Sequence, residues 1–325
     1  MRLTNKTNLP IPLYEALRND DYTRGEANAS ATSLIAPARK VALEELYAAE
    51  LEEDAADKAA ILIGKAVHAY IAAKATGDLS DKRRLMMAVN GWVVSGQTDH
   101  TDDEMFTISG GRILDYKTTS VNEWKYGLHE ERAMQLNIYA EILRANGFNP
   151  TGLTAVMIFK DFSATQAQYG GDYPPSSIVE MDVPLWPREQ AQAYIMERVL
   201  AHQAAQSGRA CEYCGGQPEG ESAFAGPCPQ CGGSGLPDCT DEERWLRDTK
   251  WAVMKGGTAR ATKLHDTEEA ATLHVAELQA KEPRVPYSVE FRPGTPTRCI
   301  HYCTVGTMGL CSQHNEWIAA QEATE

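Results

Sequence analysis

The sequence predicts an α/β (α+β) fold, because helical and strand-like patterns alternate along its first 207 residues. Apolar residues recur with a helical period after Pro37, at 59–78, at 130–146 and from Pro187 to Gln206. Between these segments lie short runs that are rich in β-branched and aromatic residues and are bounded by turn residues. The resulting order of helices, strands, helix, strands and helix sets the fold class.

The predicted strands form two groups. "GWVVSGQTDH", "EMFTIS" and "RILDYKTT" predict a meander of three strands between residues 91 and 119. "LTAVMIFK" and "SIVEMDVPL" predict two further strands after the helix at 130–146, which Gly147 ends. A helix near 267–280 and the strand-like "YSVEFRPG" follow much later in the chain.

Composition is that of a globular protein, with 325 residues, 43% hydrophobic and 23% charged. The formal charge of −14 argues against non-specific adhesion to polyanions, although a local basic groove is compatible with it. Nowhere do eighteen uncharged apolar residues run together, and the first twenty residues contain no continuous apolar stretch. We therefore expect a cytoplasmic protein without a membrane segment.

A shift toward Gly, Pro and Cys after Gly208 marks a domain boundary, and mixed composition returns at Cys239. The sequence thus predicts three parts: a core at 1–207, a small metal-binding module at 208–238 and a C-terminal lobe at 239–325.

Asp115 and Lys117 stand two residues apart at the end of "RILDYKTT". Side chains at i and i+2 of a strand project from the same side, so this carboxylate and ammonium converge. Taken alone, the pattern also fits a weak surface ion pair. Asp99 ends the first strand of the meander, and His68 lies on the helix at 59–78.

Two carboxylates and an imidazole together suit Mg²⁺ or Mn²⁺. An ammonium beside them holds or deprotonates an attacking water and offsets charge on a phosphate. Phosphodiester hydrolysis needs this combination. Gln135 and Tyr139, at i and i+4 on one helix face, are candidates for the same pocket.

The motifs "GKAVH", "GQTD", "LDYK" and "QLNIY" resemble, in order and approximate spacing, those of the PD-(D/E)xK nuclease superfamily. The RecB-like branch, which includes many phage exonucleases, is the closest in pattern. The resemblance covers about residues 30–205 and implies a restriction-endonuclease-like mixed central sheet flanked by helices.

The resemblance also implies a role for each motif residue. It makes Lys117 the catalytic lysine and Gln135 and Tyr139 the pair that supports the site and the nearby DNA strand. The implied metal ligands are His68, Asp99, Asp115 and the carbonyl of Tyr116. Each role has an alternative interpretation: His68 as a core histidine with its hydrogen bonds satisfied, Tyr139 as core packing, and Gln135 as an exposed helix residue.

The function expected from these observations is a Mg²⁺- or Mn²⁺-dependent deoxyribonuclease. The resemblance implies an exonuclease acting on double- or single-stranded DNA ends in recombination or repair, in a phage or bacterial setting. It would work with a recombination annealing or helicase protein. The alternative is a non-catalytic nucleic-acid-binding or scaffold protein on a nuclease-like fold, with a zinc adaptor module.

The cysteines fall into two sets of four. The first has the spacing C-x2-C-x13-C-x2-C with a glycine after each second cysteine, which predicts a structural Zn²⁺ site and resembles zinc ribbons. Its members are Cys211, Cys214, Cys228 and Cys231. "CPQCGGSG" also resembles one repeat of the zinc segment of DnaJ-type co-chaperones, but that likeness explains only about thirty residues.

The second set is Cys239, Cys299, Cys303 and Cys311. Several RecB-like nucleases carry a 4Fe-4S cluster on cysteines that follow the catalytic core. Here no cysteine precedes the core, so a cluster would close a C-terminal lobe. A second Zn²⁺ would use the same ligands, and the ligands alone do not choose between the two.

Overall fold

The computed structural model describes residues 2–19, 25–74, 84–98, 100–101, 111–207 and 236–322. The chain divides into two compact units. One comprises Met1–Ala42 with Glu52–Ser207, and the other comprises Leu43–Leu51 with Gly208–Glu325.

The helices of residues 1–207 include three long ones, α4, α6 and α8. In chain order they are α1 Ile11–Arg18, α2 Ala31–Ile35, α3 Ala38–Leu46, α4 Ala59–Lys74, α5 Asn122–Tyr126, α6 Glu130–Ala145, α7 Ala164–Ala167 and α8 Arg188–Gln206. The strands are β1 Arg2–Thr4, β2 Ala29–Ser30, β3 Glu52–Asp54, β4 Leu85–Val89, β5 Trp92–Gly96, β6 His100–Thr101, β7 Arg112–Thr119, β8 Gly152–Phe159 and β9 Ile178–Val183.

The main sheet has the strand order β6-β7-β8-β9, with β7 and β8 parallel and the outer pairs antiparallel. A second sheet has the order β2-β5-β4. Helix α6 contributes much of the core, since Leu136, Ile138 and Ile142 are almost fully buried. The predicted α/β fold with mixed sheets flanked by helices is confirmed.

The predicted three-strand meander is wrong. Strand β5 pairs with β4 and β2, whereas β7 pairs with β6 and β8. The reason is a hairpin turn at Asn90 and Gly91, whose φ angles of 47° and 77° are those of a tight two-residue turn. That turn pairs β5 with the preceding strand instead of the following one. The predicted strand "EMFTIS" lies outside the described residues.

Helix α6 also buries a carboxylate. Glu141 is 1% exposed and accepts hydrogen bonds from Arg188 Nε at 3.2 Å and Gln192 Nε2 at 2.7 Å. Arg144 Nη1, one turn along the same helix, lies 3.3 Å from Glu141 Oε2. These partners compensate the cost of removing the charge from water.

Helix α8 holds the short helix α2 in place. Arg198 donates to the carbonyl oxygens of Leu34 (3.1 Å) and Ala36 (2.6 Å), and His202 Nε2 donates to that of Leu34 (3.1 Å). Carbonyls at a helix end have no partner within the helix, so these contacts satisfy them. At its other end, Ser30 and Ser33 form a capping box. Both ends of α2 are therefore fixed.

The later part of the chain forms a small antiparallel sheet with helix α10 packed on it. Its strands are β10 Lys250–Lys255, β11 Lys263–His265 and β12 Tyr287–Arg292, in the order β11-β10-β12. Its helices are α9 Asp241–Arg244, α10 Glu268–Lys281, α11 Thr297–His301, α12 Thr304–Thr307 and α13 Ser312–Glu322. Among all helices in the described ranges, none combines the length and apolar character that a membrane crossing requires.

Candidate active site

A pocket of about 410 Å³ opens beside the middle of β7. Strand β6 pairs only with Ile113 and Leu114, so in the described ranges no strand covers β7 on that side from Asp115 onward. Side chains of α4 and α6 reach this edge. The lining residues are Lys65, His68, Ala69, Asp115, Lys117, Gln135 and Tyr139.

Asp115 and Lys117 form an ion pair at the base of the pocket. Lys117 Nζ lies 2.7 Å from Asp115 Oδ2, and the two side chains are 16% and 4% exposed. Partial burial makes a surface ion pair an inadequate description, because charges out of water cost free energy unless they are well compensated. The alternation of a strand thus brings the two side chains together as expected.

Gln135 connects this ion pair to two hydroxyl groups. Its Oε1 accepts from Lys117 Nζ at 3.0 Å, and its Nε2 donates to Tyr139 Oη at 2.8 Å and to Thr32 Oγ1 at 3.1 Å. The amide therefore holds the ammonium from one side while Asp115 holds it from the other. Gln135 is not a plain surface residue, and Tyr139, 8% exposed, belongs to both core and pocket.

His68 lines the same pocket from α4, and its ring meets that of Tyr116 edge-on at 6.5 Å. Asp99 lies outside the described residues. Within the ranges that are described, no three His, Cys, Asp or Glu side chains form a metal-binding group. The metal-ligand roles of His68, Asp99, Asp115 and the Tyr116 carbonyl remain predictions.

Sequence reasoning missed two members of the site. Lys65 lines the pocket one helical turn before His68, so its position on α4 was a usable signal. Thr32 contacts Gln135 although 103 positions separate the two residues, and only the folded chain reveals that contact.

The model of the PD-(D/E)XK nuclease superfamily matches residues 14–218. The chain belongs to the PD-(D/E)XK nuclease superfamily. A search of curated proteins gave no significant match. The solved structure titled "Crystal structure of SSO0001" is similar at 16% identity and a TM-score of 0.38, over 62% of this chain and 88% of that one.

PD-(D/E)XK nucleases act on nucleic acids and generally use divalent metals such as Mg²⁺. The pocket's donor set fits such an ion, because Asp115 supplies a buried carboxylate and His68 an imidazole at one opening. Lys117 beside them is a cation that a phosphate can approach.

Gly96 lets α6 approach β5 closely behind this superfamily site. A Cβ atom at Gly96 would lie 2.8 Å from Ile142 Cδ1 and 2.9 Å from Tyr139 Cδ1. We expect Gly96→Ala to lower the free energy of unfolding by about 1–3 kcal/mol, because overpacking displaces the Tyr139 ring. Urea unfolding measures the change. Gly152→Ala is the control, since its Cβ meets only the flexible Arg112 side chain; an equal loss there would contradict the explanation.

The second cysteine set lies within the described residues, among which no three Cys, His, Asp or Glu side chains are arranged to hold a metal ion. Cys299, Cys303 and Cys311 are buried, Cys239 is partly buried, and none of the four is in a disulfide. Gln313 fixes Cys239 near the C-terminal members, accepting from its backbone N at 3.0 Å and donating to its carbonyl at 2.8 Å. Cys211, Cys214, Cys228 and Cys231 lie outside the described residues.

Two arginines lie against the buried cysteines. Arg244 donates a hydrogen bond to Cys299, whose pKa is nevertheless raised by burial. Arg298 stacks on Trp245 with its Cζ 3.8 Å from the ring centroid, and burial lowers its pKa to about 10. The Arg298 guanidinium therefore stays charged at neutral pH. At Cys299 the effect of burial outweighs that of the nearby arginines, since the pKa of this thiol is raised.

Proposed function

We propose that the chain is a metal-dependent deoxyribonuclease, an exonuclease of RecB-like type that acts on DNA ends in recombination or repair. The observation that carries the proposal is the pocket in which Asp115, Lys117, His68, Gln135 and Tyr139 meet. The order of the four sequence motifs supports assignment to the RecB-like branch. That assignment in turn supports a preference for DNA ends.

In this mechanism Asp115 and His68 would hold the divalent cation, with Asp99 as a further ligand. When bound, that cation supplies Lewis acidity for water activation and for neutralising phosphate charge. Asp115 and Gln135 hold the Lys117 ammonium at 2.7 Å and 3.0 Å, so it is aimed at one place in the pocket. From there it can orient the attacking water or stabilise the phosphorane-like transition state. Tyr139 and Thr32 fix the Gln135 amide in turn.

The test is degradation of linear duplex and single-stranded DNA in Mg²⁺, with a covalently closed circle as control. Consumption of linear DNA with survival of circles supports an exonuclease. Nicked circles would assign an endonuclease instead, and binding without cleavage would favour the non-catalytic nucleic-acid-binding protein.

Manganese should support cleavage at least as well as magnesium, because His68 offers a nitrogen ligand that Mg²⁺ accepts poorly. Calcium should permit DNA binding without turnover. Initial rates with each ion at equal concentration measure the preference. Undiminished cleavage in EDTA would contradict the metal mechanism.

We further propose that Cys211, Cys214, Cys228 and Cys231 bind a structural Zn²⁺ and that Cys239, Cys299, Cys303 and Cys311 bind a 4Fe-4S cluster. Three ligands within thirteen residues suit a compact cluster, whereas zinc ribbons pair C-x2-C units. A second Zn²⁺ is the alternative that metal analysis of anaerobically purified protein distinguishes.

A further inference from the structure

Arg132 lies on the face of α6 that carries the pocket residues Gln135 and Tyr139, since positions i, i+3 and i+7 of a helix share one face. It precedes Gln135 by one turn, about 4.5 Å along the helix axis. Its side chain is 25% exposed. Arg132 therefore lies one helical turn from Gln135, which lines the candidate active site.

Glu123 holds that guanidinium by two bonds. Arg132 Nε donates to Oε1, and Nη2 donates to Oε2 at 2.8 Å. An arginine has five N–H donors, so the two bonds to Glu123 leave the other donors of Arg132 available. In the described part of the chain they make no other hydrogen bond.

The Arg132–Glu123 pair is also hydrogen-bonded to β7, the strand that carries the catalytic candidates Asp115 and Lys117. Thr119 Oγ1 donates to Glu123 Oε2 at 2.6 Å, and Thr119 shares the face of β7 with Asp115 and Lys117. Burial by itself raises the pKa of Glu123, but the hydrogen bonds from Arg132 and Thr119 outweigh that effect and lower it. The carboxylate is consequently charged at neutral pH and keeps Arg132 in one orientation.

Helix α6 contains a second arginine–glutamate pair that shows what a purely structural one looks like. Arg144 and Glu141 are 14% and 1% exposed, and Glu141 is enclosed by further donors. Arg132 differs in being more exposed and in lying one helical turn from Gln135, a residue of the pocket. The short helix of Glu123 also presents Lys125 and Tyr126, the latter 78% exposed, and a cation beside an aromatic ring suits a nucleic-acid strand.

We propose that Arg132 binds a phosphate group of the DNA strand next to the scissile phosphodiester, and that Glu123 is the positioning residue that aims it. This subsite rests on the proposed nuclease function. Bidentate guanidinium–phosphate contacts are strong and directional, so the remaining donors of Arg132 would fix the strand relative to Lys117.

The test compares Arg132→Gln with Arg144→Gln as a matched control on the same helix. DNA binding is measured by fluorescence anisotropy in Ca²⁺ over a series of salt concentrations, and single-turnover cleavage is measured in Mg²⁺. We expect R132Q to weaken binding about tenfold and to reduce the slope of log K against log salt by about one. R144Q should leave affinity and slope unchanged.

Two further variants separate charge from orientation. Arg132→Lys should restore the salt slope but not the full cleavage rate, and Glu123→Gln should keep the slope while lowering cleavage, because the guanidinium remains but is no longer aimed. Should R132Q fail to fold, E123Q/R132Q replaces it, since it leaves no unpaired buried carboxylate. If R132Q loses affinity only for DNA ends that carry a terminal phosphate, Arg132 binds that terminal phosphate. If the loss of affinity is equal for ends without a terminal phosphate, Arg132 binds an internal phosphodiester.

Unchanged affinity and slope in R132Q, or the same losses in R144Q, would overturn the subsite. If wild-type protein still cleaves DNA in that case, the nuclease function stands. Wild-type protein that neither binds nor cleaves DNA would overturn the function on which the subsite rests.

Discussion

Asp115→Asn and Lys117→Ala should each reduce DNA cleavage at least about 100-fold while the protein stays folded and binds DNA. Asparagine retains the shape of the Asp115 side chain but not the charge that pairs with Lys117 at 2.7 Å and would bind the cation. Alanine at position 117 removes the ammonium that Gln135 and Asp115 hold in the pocket. Single-turnover rates in Mg²⁺ measure the loss.

Asp182→Asn is the control for charge removal on the same sheet. Asp182 lies on β9, where it contacts Thr154 and Arg112, and its side chain is 82% exposed. Its replacement should leave cleavage unchanged. If either pocket variant, with a native circular dichroism spectrum, kept more than about a tenth of the wild-type rate, the ion pair would have no part in the chemistry.

Cys299→Ser and Cys311→Ser should each abolish iron binding and unfold the C-terminal lobe. The physical reason is that binding energy at a structural metal site is folding energy, about 10–16 kcal/mol for structural zinc in small domains. Both cysteines are buried, so the loss also leaves a polar group inside. Elemental analysis should give about four irons per wild-type chain and none per variant. Limited proteolysis then reports where the chain opens, with cuts in residues 239–322 expected first.

The double variant Cys211→Ser/Cys214→Ser provides the matched control, because it removes two thiols from the other set. It should lose one zinc and keep its iron. Two zincs and no iron in the anaerobic wild-type protein would decide for zinc at the second set. Native stability of Cys299→Ser after complete metal loss would contradict the structural role altogether.

Periodicity predicted the long elements well, because α4, α6 and α8 each carry an apolar pattern over several turns. It failed at the hairpin of β4 and β5. "LMMAVNGWVVSG" contains an Asn-Gly turn between two alternating segments, and this signal was sufficient to predict the pairing. Because β4 was not predicted, β5 was paired with the segment "EMFTIS" instead. The close packing of Gly96 against α6 is a long-range contact, which local pattern does not contain.

The site was predictable where chemistry and local geometry coincide. Asp115 and Lys117 share a strand face, and Gln135 and Tyr139 share a helix face, so each pair followed from spacing alone. That all four line one pocket with His68 came from family resemblance. Thr32 could not be found in this way, since its contact to Gln135 exists only after α2 has been fixed by α8.

The anchoring of α2 by α8 also constrains the order of events during synthesis. His202 and Leu34 are 168 positions apart, and closing so long a loop is entropically costly until other contacts support it. Chains emerge from the ribosome N-terminus first, so α2 has no anchor until residues near 202 have left the exit tunnel. The contact of Thr32 with Gln135 is therefore fixed late, after nearly all of the first 207 residues have been made. A nascent chain that carries Asp115 and Lys117 but not yet α8 lacks the anchor of α2, the helix that bears the Thr32 contact to Gln135.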